Sequence, residues 1–367
     1  MVRKLLYING LAIISVVLYH ASAWGFISMF WWTHRYRPVG EVNFDQLFNF
    51  EYYSLRIIEQ LVIFAIPAFI FVCGYYVAVA TGRNNKTIAW KTVLNRIKVL
   101  AIPFIVWSVI YIVFNIFKGE RYTALDFFLI IITGKVSDPF YFIPLLIQLY
   151  LLAPFLVFLI KKGWKPVLAV SAVIQVLVLV FRYISIIRPD HLPLFSTLSE
   201  NIFFSSYLFW FVLGIVVAFN SGSFKALLVK YRKLYLVGTI VFFIIGVLEW
   251  ETIFRTSGLA YIPPTETLID HIYAIFLIFS LFAYEGAQFP FFNRLTGLGT
   301  QSYGIYLSHS LALESSARII YHIFPSVMEF TIVFLFIIVI AGLGIPLLLM
   351  YLVSKLPIRR YYSYLFG

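Results

Sequence analysis

Ten long apolar runs divide this chain, and no other feature restricts its possible folds as strongly. They are Leu5–Trp24, Ile57–Val79, Val99–Phe117, Phe142–Ile160, Val167–Ile187, Ile202–Phe219, Leu234–Leu248, Ile269–Ala283, Ser302–Ile323 and Phe330–Val353. A helix needs about 20 predominantly apolar residues to cross a bilayer core about 30 Å thick, and these runs reach or approach that length. Their hydrophobicity is continuous rather than alternating, which argues against the strands of a membrane barrel. The shorter run Phe127–Ile132 cannot cross and reads as an interfacial or re-entrant piece. With 62% hydrophobic and only 12% charged residues, the chain is also too apolar for a soluble domain. The sequence therefore predicts an all-α polytopic membrane protein of about ten transmembrane helices. The outer loops are too short for a separate domain, so residues 1–367 read as one membrane domain. The first run lacks a small-residue cleavage site and reads as a retained span.

Lys and Arg set the orientation. With the N-terminus placed in the cytoplasm, the inner segments hold 18 of the 28 basic residues and a single acid, Glu285. The remaining 10 basic residues share the spans and outer loops with 15 acids. This asymmetry is what the positive-inside rule produces, and it puts both termini in the cytoplasm. The formal charge of +12 is thus a topology signal rather than a nucleic-acid footprint. Arg83, Lys86, Arg96 and Lys98 remain open to a second role, holding an anionic lipid head or a phosphorylated cofactor. The lone Cys73 forms no intrachain disulfide, no His/Cys/Asp spacing fits a metal, and no phosphate-loop or nucleophile-elbow motif is present. The sequence carries no signal for an oligomeric state.

Ionisable side chains in hydrocarbon cost about 2.5 kcal/mol or more and call for a reason. His20 lies about 22 Å along the first span, in the outer third of the bilayer. Asn9 precedes it by eleven residues, a separation that returns to within about 20° of one helix face, which Ile13 and Val16 share. A neutral imidazole there could act as a general base toward a substrate hydroxyl. From spacing alone the favoured reading is an interfacial histidine beside Tyr19 and Trp24, hydrogen-bonded to a headgroup or a neighbouring helix. His309 falls early in the ninth span, nearer the cytoplasm. Glu314 and Arg318 follow at a spacing that lets them pair as an internal lock. Glu59 reads as opening the second span at the outer face, at a depth where it could meet His20. Asp270 and His271 open the eighth span on that side, and either Glu59 or Asp270 could orient the His20 ring. Pro67, Pro103, Pro144, Pro154 and Pro346 interrupt spans. Gly74, Gly214, Gly342 and Gly344 read as close helix contacts.

Five segments, in order, resemble the motifs of the integral membrane acyltransferases of family three, which include surface-polysaccharide O-acetylases. Ile8-Asn-Gly-Leu-Ala12 through Val16-Val-Leu-Tyr-His20 is similar to the family's opening motif ending in histidine. Ala65-Ile-Pro-Ala-Phe-Ile-Phe-Val-Cys73-Gly74-Tyr resembles its second span, and Arg96-Ile-Lys98-Val-Leu-Ala-Ile-Pro103-Phe-Ile-Val-Trp107 its basic-then-proline third. Tyr141-Phe-Ile-Pro-Leu-Leu with Tyr150-Leu-Leu-Ala-Pro154 is similar to the fourth. Gly299-Thr-Gln-Ser302-Tyr-Gly-Ile-Tyr306-Leu-Ser-His309 is similar to the late motif. The resemblance implies transfer of an acyl group, usually acetyl, from cytoplasmic acyl-CoA (acetyl-CoA or another) to a hydroxyl of a glycan or lipid-linked sugar. It matches His20 and His309 to the family's histidines, and Arg96 and Lys98 to basic residues that could face the donor's phosphates. A bacterial inner membrane is the implied location. The chain departs from the pattern at Asn9, where the family usually has Arg or Lys, at Leu6, where an acid is common, and at Cys73, where Ser is usual. Asn9 can donate a hydrogen bond but supplies no positive charge. That departure also admits a non-catalytic exporter or flippase of a lipid-linked saccharide on the same scaffold. A helical receptor or structural membrane protein would account for the spans but not for the order of the motifs. The enzyme reading requires His20 to face an enclosed chamber that reaches both leaflets.

Overall fold

The computed structural model describes residues 2–31, 44–187, 200–258, 262, 265–284 and 291–367, and these are helical with no strand among them. Glu285, the one acid in the inner segments, lies outside the described residues. The long first helix α1 (Val2–Phe30) is followed by α2 (Phe50–Val62) and α3 (Ala65–Thr81), which together form one apolar segment over Phe50–Thr81. Next come α4 (Trp90–Phe117), the short α5 (Ala124–Thr133), α6 (Phe142–Lys162) and α7 (Trp164–Ile187). The C-terminal part comprises α8 (Leu208–Phe219), α9 (Ser221–Lys230), α10 (Arg232–Ser257), α11 (Leu268–Ala283), α12 (Phe292–Thr300), α13 (Ser302–Ile323), α14 (Thr331–Lys355) and α15 (Tyr362–Phe366).

Seven helical segments among the described residues are long and apolar enough to cross a membrane, and α8 with α9 makes an eighth if that pair, bent by 100°, is one span. The chain is a multi-pass membrane protein, but three of the ten expected spans fall short of that test by themselves. The run Ile202–Phe219 is helical only over the 12 residues of α8. The 16 residues of α11 rise about 24 Å, less than the bilayer core. Helix α13 is long enough, but it carries His309, Glu314, Arg318 and several serines. All three lie largely within the bundle, where protein rather than lipid meets the polar groups and helix ends. An apolar run in sequence reports burial. It does not say whether lipid or protein does the burying.

Glycines set the closest helix approaches. A Cβ on Gly74 would stand 2.1 Å from the Phe211 carbonyl oxygen, and one on Gly214 would stand 2.1 Å from that of Phe71. Helices α3 and α8 therefore touch backbone to backbone. The same reciprocity joins α1 to α12, where Gly10 faces the Leu295 carbonyl and Gly299 the Leu6 carbonyl, each at 1.9 Å from the missing Cβ. Gly342 packs against Leu313 and Val17, whereas Gly344 faces open space and makes no such contact. Pro67 and Pro144 sit in first turns, where proline is tolerated, while Pro103, Pro154 and Pro346 lie inside helices. In the turn before Pro103, the Tyr303 hydroxyl donates to the Leu100 carbonyl at 2.6 Å.

The far end of α3 from the cavity described below gathers basic residues. The Lys161 ammonium donates to the carbonyls of Gly82, Arg83 and Asn85, closing the α3–α4 connection onto the end of α6. Glu314 and Arg318 do pair, at 2.9 Å, and Lys118 at the end of α4 joins them at 2.8 Å. That trio ties α13 to α4.

Candidate active site

A cavity of about 510 Å³ opens among α1, the α2–α3 junction, the segment before α6 and the loops before α8 and α11. From α1 it takes residues between Val16 and Trp31, His20 among them, and from the α2–α3 junction Val62, Ile63, Ala65 and Ile66. Asp138, Pro139 and Tyr141 supply a third side, Tyr306 the back, and Asn201, Thr265 and Glu266 the polar wall. Gly134 makes the third side possible. Its φ of 73° is left-handed, and a Cβ there would sit 2.5 Å from the Phe140 carbonyl oxygen. The Tyr306 hydroxyl donates to the Pro139 carbonyl and so fixes that segment to α13.

His20 and His309 meet behind this cavity, with ring centroids 5.3 Å apart. His309 was expected nearer the cytoplasm than His20, and the packing overturns this. Gly299 contacts Gly10 directly, its Cβ position 3.0 Å from the Gly10 nitrogen. His20 follows Gly10 by ten residues of the continuous α1, about 15 Å, and His309 follows Gly299 by ten residues across the joint between α12 and α13. Helix α12 packs on α1 just before α13 begins, and the two imidazoles stand side by side. His309 Nδ1 lies 2.6 Å from the Tyr306 carbonyl oxygen. A carbonyl only accepts, so Nδ1 carries the hydrogen and Nε2 the lone pair. That Nε2 is buried with no hydrogen-bond partner among the described residues.

The polar wall rests on a second network. Tyr207 donates to Glu266 Oε2 at 2.7 Å, with Arg182 at 3.8 Å and His271 Nε2 at 3.5 Å from the same oxygen. Arg182 also donates to the Glu266 backbone carbonyl at 3.2 Å and to Asn201 Oδ1 at 2.6 Å. Trp210 Nε1 donates to His271 Nδ1 at 2.7 Å, so the hydrogen of a neutral His271 must sit on Nε2. Glu266 lies in the loop before α11, and burial pushes its carboxyl up to about 7 against the pull of Arg182 and the Tyr207 hydroxyl.

The remaining sequence candidates fall elsewhere. Glu59 does not open a span at the outer face: it lies in the last turn of α2, buried, paired with Arg56 at 2.5 Å beneath a Trp250 ring that stacks on the guanidinium. Asp270 caps α11 through Thr267 and accepts from Gln60 at 2.8 Å. Neither carboxylate lines the cavity beside His20, and the acid that does, Glu266, was not singled out in the sequence. Its signal was present in Arg182, an ionisable residue deep in the run Val167–Ile187 that demanded a partner. Asn9 is half-buried on α1 below the cavity, and its buried Oδ1 has no hydrogen-bond partner among the described residues. Arg96 donates to the Tyr76 carbonyl at 3.1 Å, while Lys98 and Arg83 are exposed. None of these four is among the described residues that line the cavity. Among the described residues, no group of three or more His, Cys, Asp or Glu is placed to hold a metal.

Comparison with curated proteins and with solved structures returns no match. A family model does match, over residues 5–351, and its description is an acyltransferase domain. The matched stretch includes the His20–His309 pair, the cavity and its polar wall, and the chain accordingly belongs to the acyltransferase 3 family, a multi-pass membrane acyltransferase.

Proposed function

We propose that the protein is an O-acyltransferase that moves an acyl group, acetyl above all, from cytoplasmic acyl-CoA to a hydroxyl of a glycan or lipid-linked sugar. One observation carries this reading: the His20 imidazole lines a cavity of ligand size beside a second imidazole whose proton position is set by a backbone carbonyl. His20 accepts the proton as the acceptor oxygen attacks the thioester carbonyl carbon. The carbon–oxygen bond forms, the carbon–sulfur bond breaks, and the thiolate leaves and is reprotonated as free CoA. His309 stands behind His20 and holds its ring in the reactive position.

The donor side is read from charge. Arg83, Arg96, Lys98 and Lys161 collect at the end of α3 opposite the cavity, and the positive-inside bias makes this the cytoplasmic face, with both termini on it. Arginine there suits the phosphates of CoA through bidentate contacts. Asn9, where the family usually has a basic residue, contributes a hydrogen bond rather than a charge to the path between donor and His20. The protein works in a bacterial inner membrane as one domain.

The test uses purified protein in nanodiscs with radiolabelled acetyl-CoA and a panel of glycosides. Labelled glycoside is expected from the parent protein and none above background from His20→Ala at unchanged thermal stability. Undiminished transfer by His20→Ala discards the assignment. Failure of the parent protein to consume acetyl-CoA, together with glycan stalled on the inner leaflet of a deletion strain, favours an exporter instead.

A further inference from the structure

The imidazole end of the cavity accounts for proton transfer but leaves the acidic wall without a task. That wall is expensive. Arg182 and Glu266 are both nearly buried, with side chains 8% and 10% exposed, and a purely structural ion pair at such a site is often no better than apolar packing. A structural pair would also be closed on itself, whereas Glu266 and Asn201 both line the cavity.

The hydrogen bonds dictate what the wall offers a ligand. Arg182 is donor-only, so the Asn201 atom it holds at 2.6 Å is the oxygen, and the Asn201 amide N–H groups are left to donate. Glu266 supplies a carboxylate acceptor, and Thr265 beside it a hydroxyl. The aromatic residues Tyr19, Phe26, Trp31 and Tyr141 line the same cavity. Paired acceptor and donor groups in one cavity with aromatic rings fit a pyranose, whose hydroxyls are polar and whose C–H face is apolar. Among the described residues that line the cavity, the charged ones are Asp138 and Glu266, with no Lys or Arg.

We infer that this wall is the acceptor subsite, that Glu266 and Asn201 bind a neutral sugar through adjacent hydroxyls, and that it discriminates against uronic and other anionic sugars. Arg182, Tyr207, His271 and Trp210 are positioning residues that hold Glu266 and Asn201 from behind. This deepens the acyltransferase reading and rests on it only for the word acceptor, since sugar binding is measurable without acyl transfer.

The experiment has two arms, each on full-length protein in nanodiscs. Saturation-transfer NMR with methyl β-glucoside and methyl β-glucuronide reads binding alone. Acetyl transfer to the same two glycosides reads KM and kcat. The glucoside is expected to bind and the glucuronide not to. Glu266→Gln should weaken glucoside binding and raise its KM about ten- to hundredfold, the range of a hydrogen bond to a charged group, and should narrow the preference over glucuronide. Tyr207→Phe, which deletes one hydroxyl and disturbs packing least, should move both readouts the same way by less, and it serves where Glu266→Gln folds poorly. Equal binding of the two glycosides, or glucoside binding indifferent to both variants, overturns the inference even if acetyl transfer is robust. Glu266-dependent glucoside binding in a protein that transfers nothing would leave the subsite standing and remove the acyltransferase reading.

Discussion

Two buried imidazoles stand behind one cavity with opposite proton placements. His309 gives its Nδ1 hydrogen to the Tyr306 carbonyl and keeps a lone pair on Nε2, in surroundings of helix backbone and aromatic rings. His271 receives a hydrogen at Nδ1 from Trp210 and, when neutral, carries its own on Nε2 toward Glu266. The neighbour at Nδ1 decides which: a carbonyl can only accept and an indole can only donate. One fold thereby leaves a lone pair on the imidazole behind His20 and a hydrogen on the imidazole behind Glu266. The first arrangement suits a site of proton removal, and the second suits a wall that must hold a carboxylate in position. On the reading proposed above, the choice of one hydrogen-bond partner each keeps basic chemistry and acidic recognition apart.

The largest effect expected from breaking this contrast is at the basic end. His20→Ala should lower acyl transfer about 10²- to 10⁴-fold, the usual range for a lost general base, with the melting temperature little changed. Next is the register that brings the imidazoles together. Gly299→Val drives a side chain into the Leu6 carbonyl, and overpacking of this kind costs about 1–3 kcal/mol. Thermal unfolding should show that loss, and activity should fall with it, whereas Gly344→Ala, which faces open space, should change neither. At the acidic end, Trp210→Phe strips His271 of its donor, and the buried nitrogen left behind costs about 1–3 kcal/mol, read as a lower melting temperature with acceptor KM raised more than kcat is lowered.

A pH series sharpens the same comparison. Glu266 ionises near 7 among Arg182, Tyr207, His271 and Asp270, so it offers a full carboxylate only above that value. Acceptor KM should fall as pH rises from 6 to 8, and Glu266→Gln should flatten the profile. Stability runs the other way. The folded protein holds this proton more tightly than an unfolded carboxyl does, so the contribution is present below the unfolded value near 4.5 and is lost as pH rises through about 7. The smallest effect is expected outside the cavity, where Glu314→Gln loosens a partly exposed tie to Lys118 and Arg318. It should cost no more than about 1 kcal/mol in denaturant unfolding and leave KM unmoved.

Much of the site was legible one residue at a time. His20 stood out because an imidazole is costly in a span, and Glu314 with Arg318 because four residues return to one helix face. Partnerships across helices were another matter. Glu59 had a suitable approximate depth for His20 but pairs with Arg56, three residues back on its own helix and held under Trp250. Glu266 lies outside the long runs and looks like an ordinary loop acid. Its importance follows from Arg182, Tyr207 and His271, which come from α7, the turn before α8 and α11.

The sequence by itself determined the membrane, the helices and the identity of the acyltransferase family, because hydrophobic run length and short local motifs are properties of contiguous residues. Only the tertiary structure decided which runs are sheltered by protein rather than lipid, that His309 stands beside His20, and that Glu266 rather than Glu59 shares the His20 cavity. Those outcomes depend on how far each helix slides against its neighbour before backbone meets backbone. That distance is set at Gly10 and Gly299, residues far apart in the chain whose missing side chains bring α1 and α12 into contact.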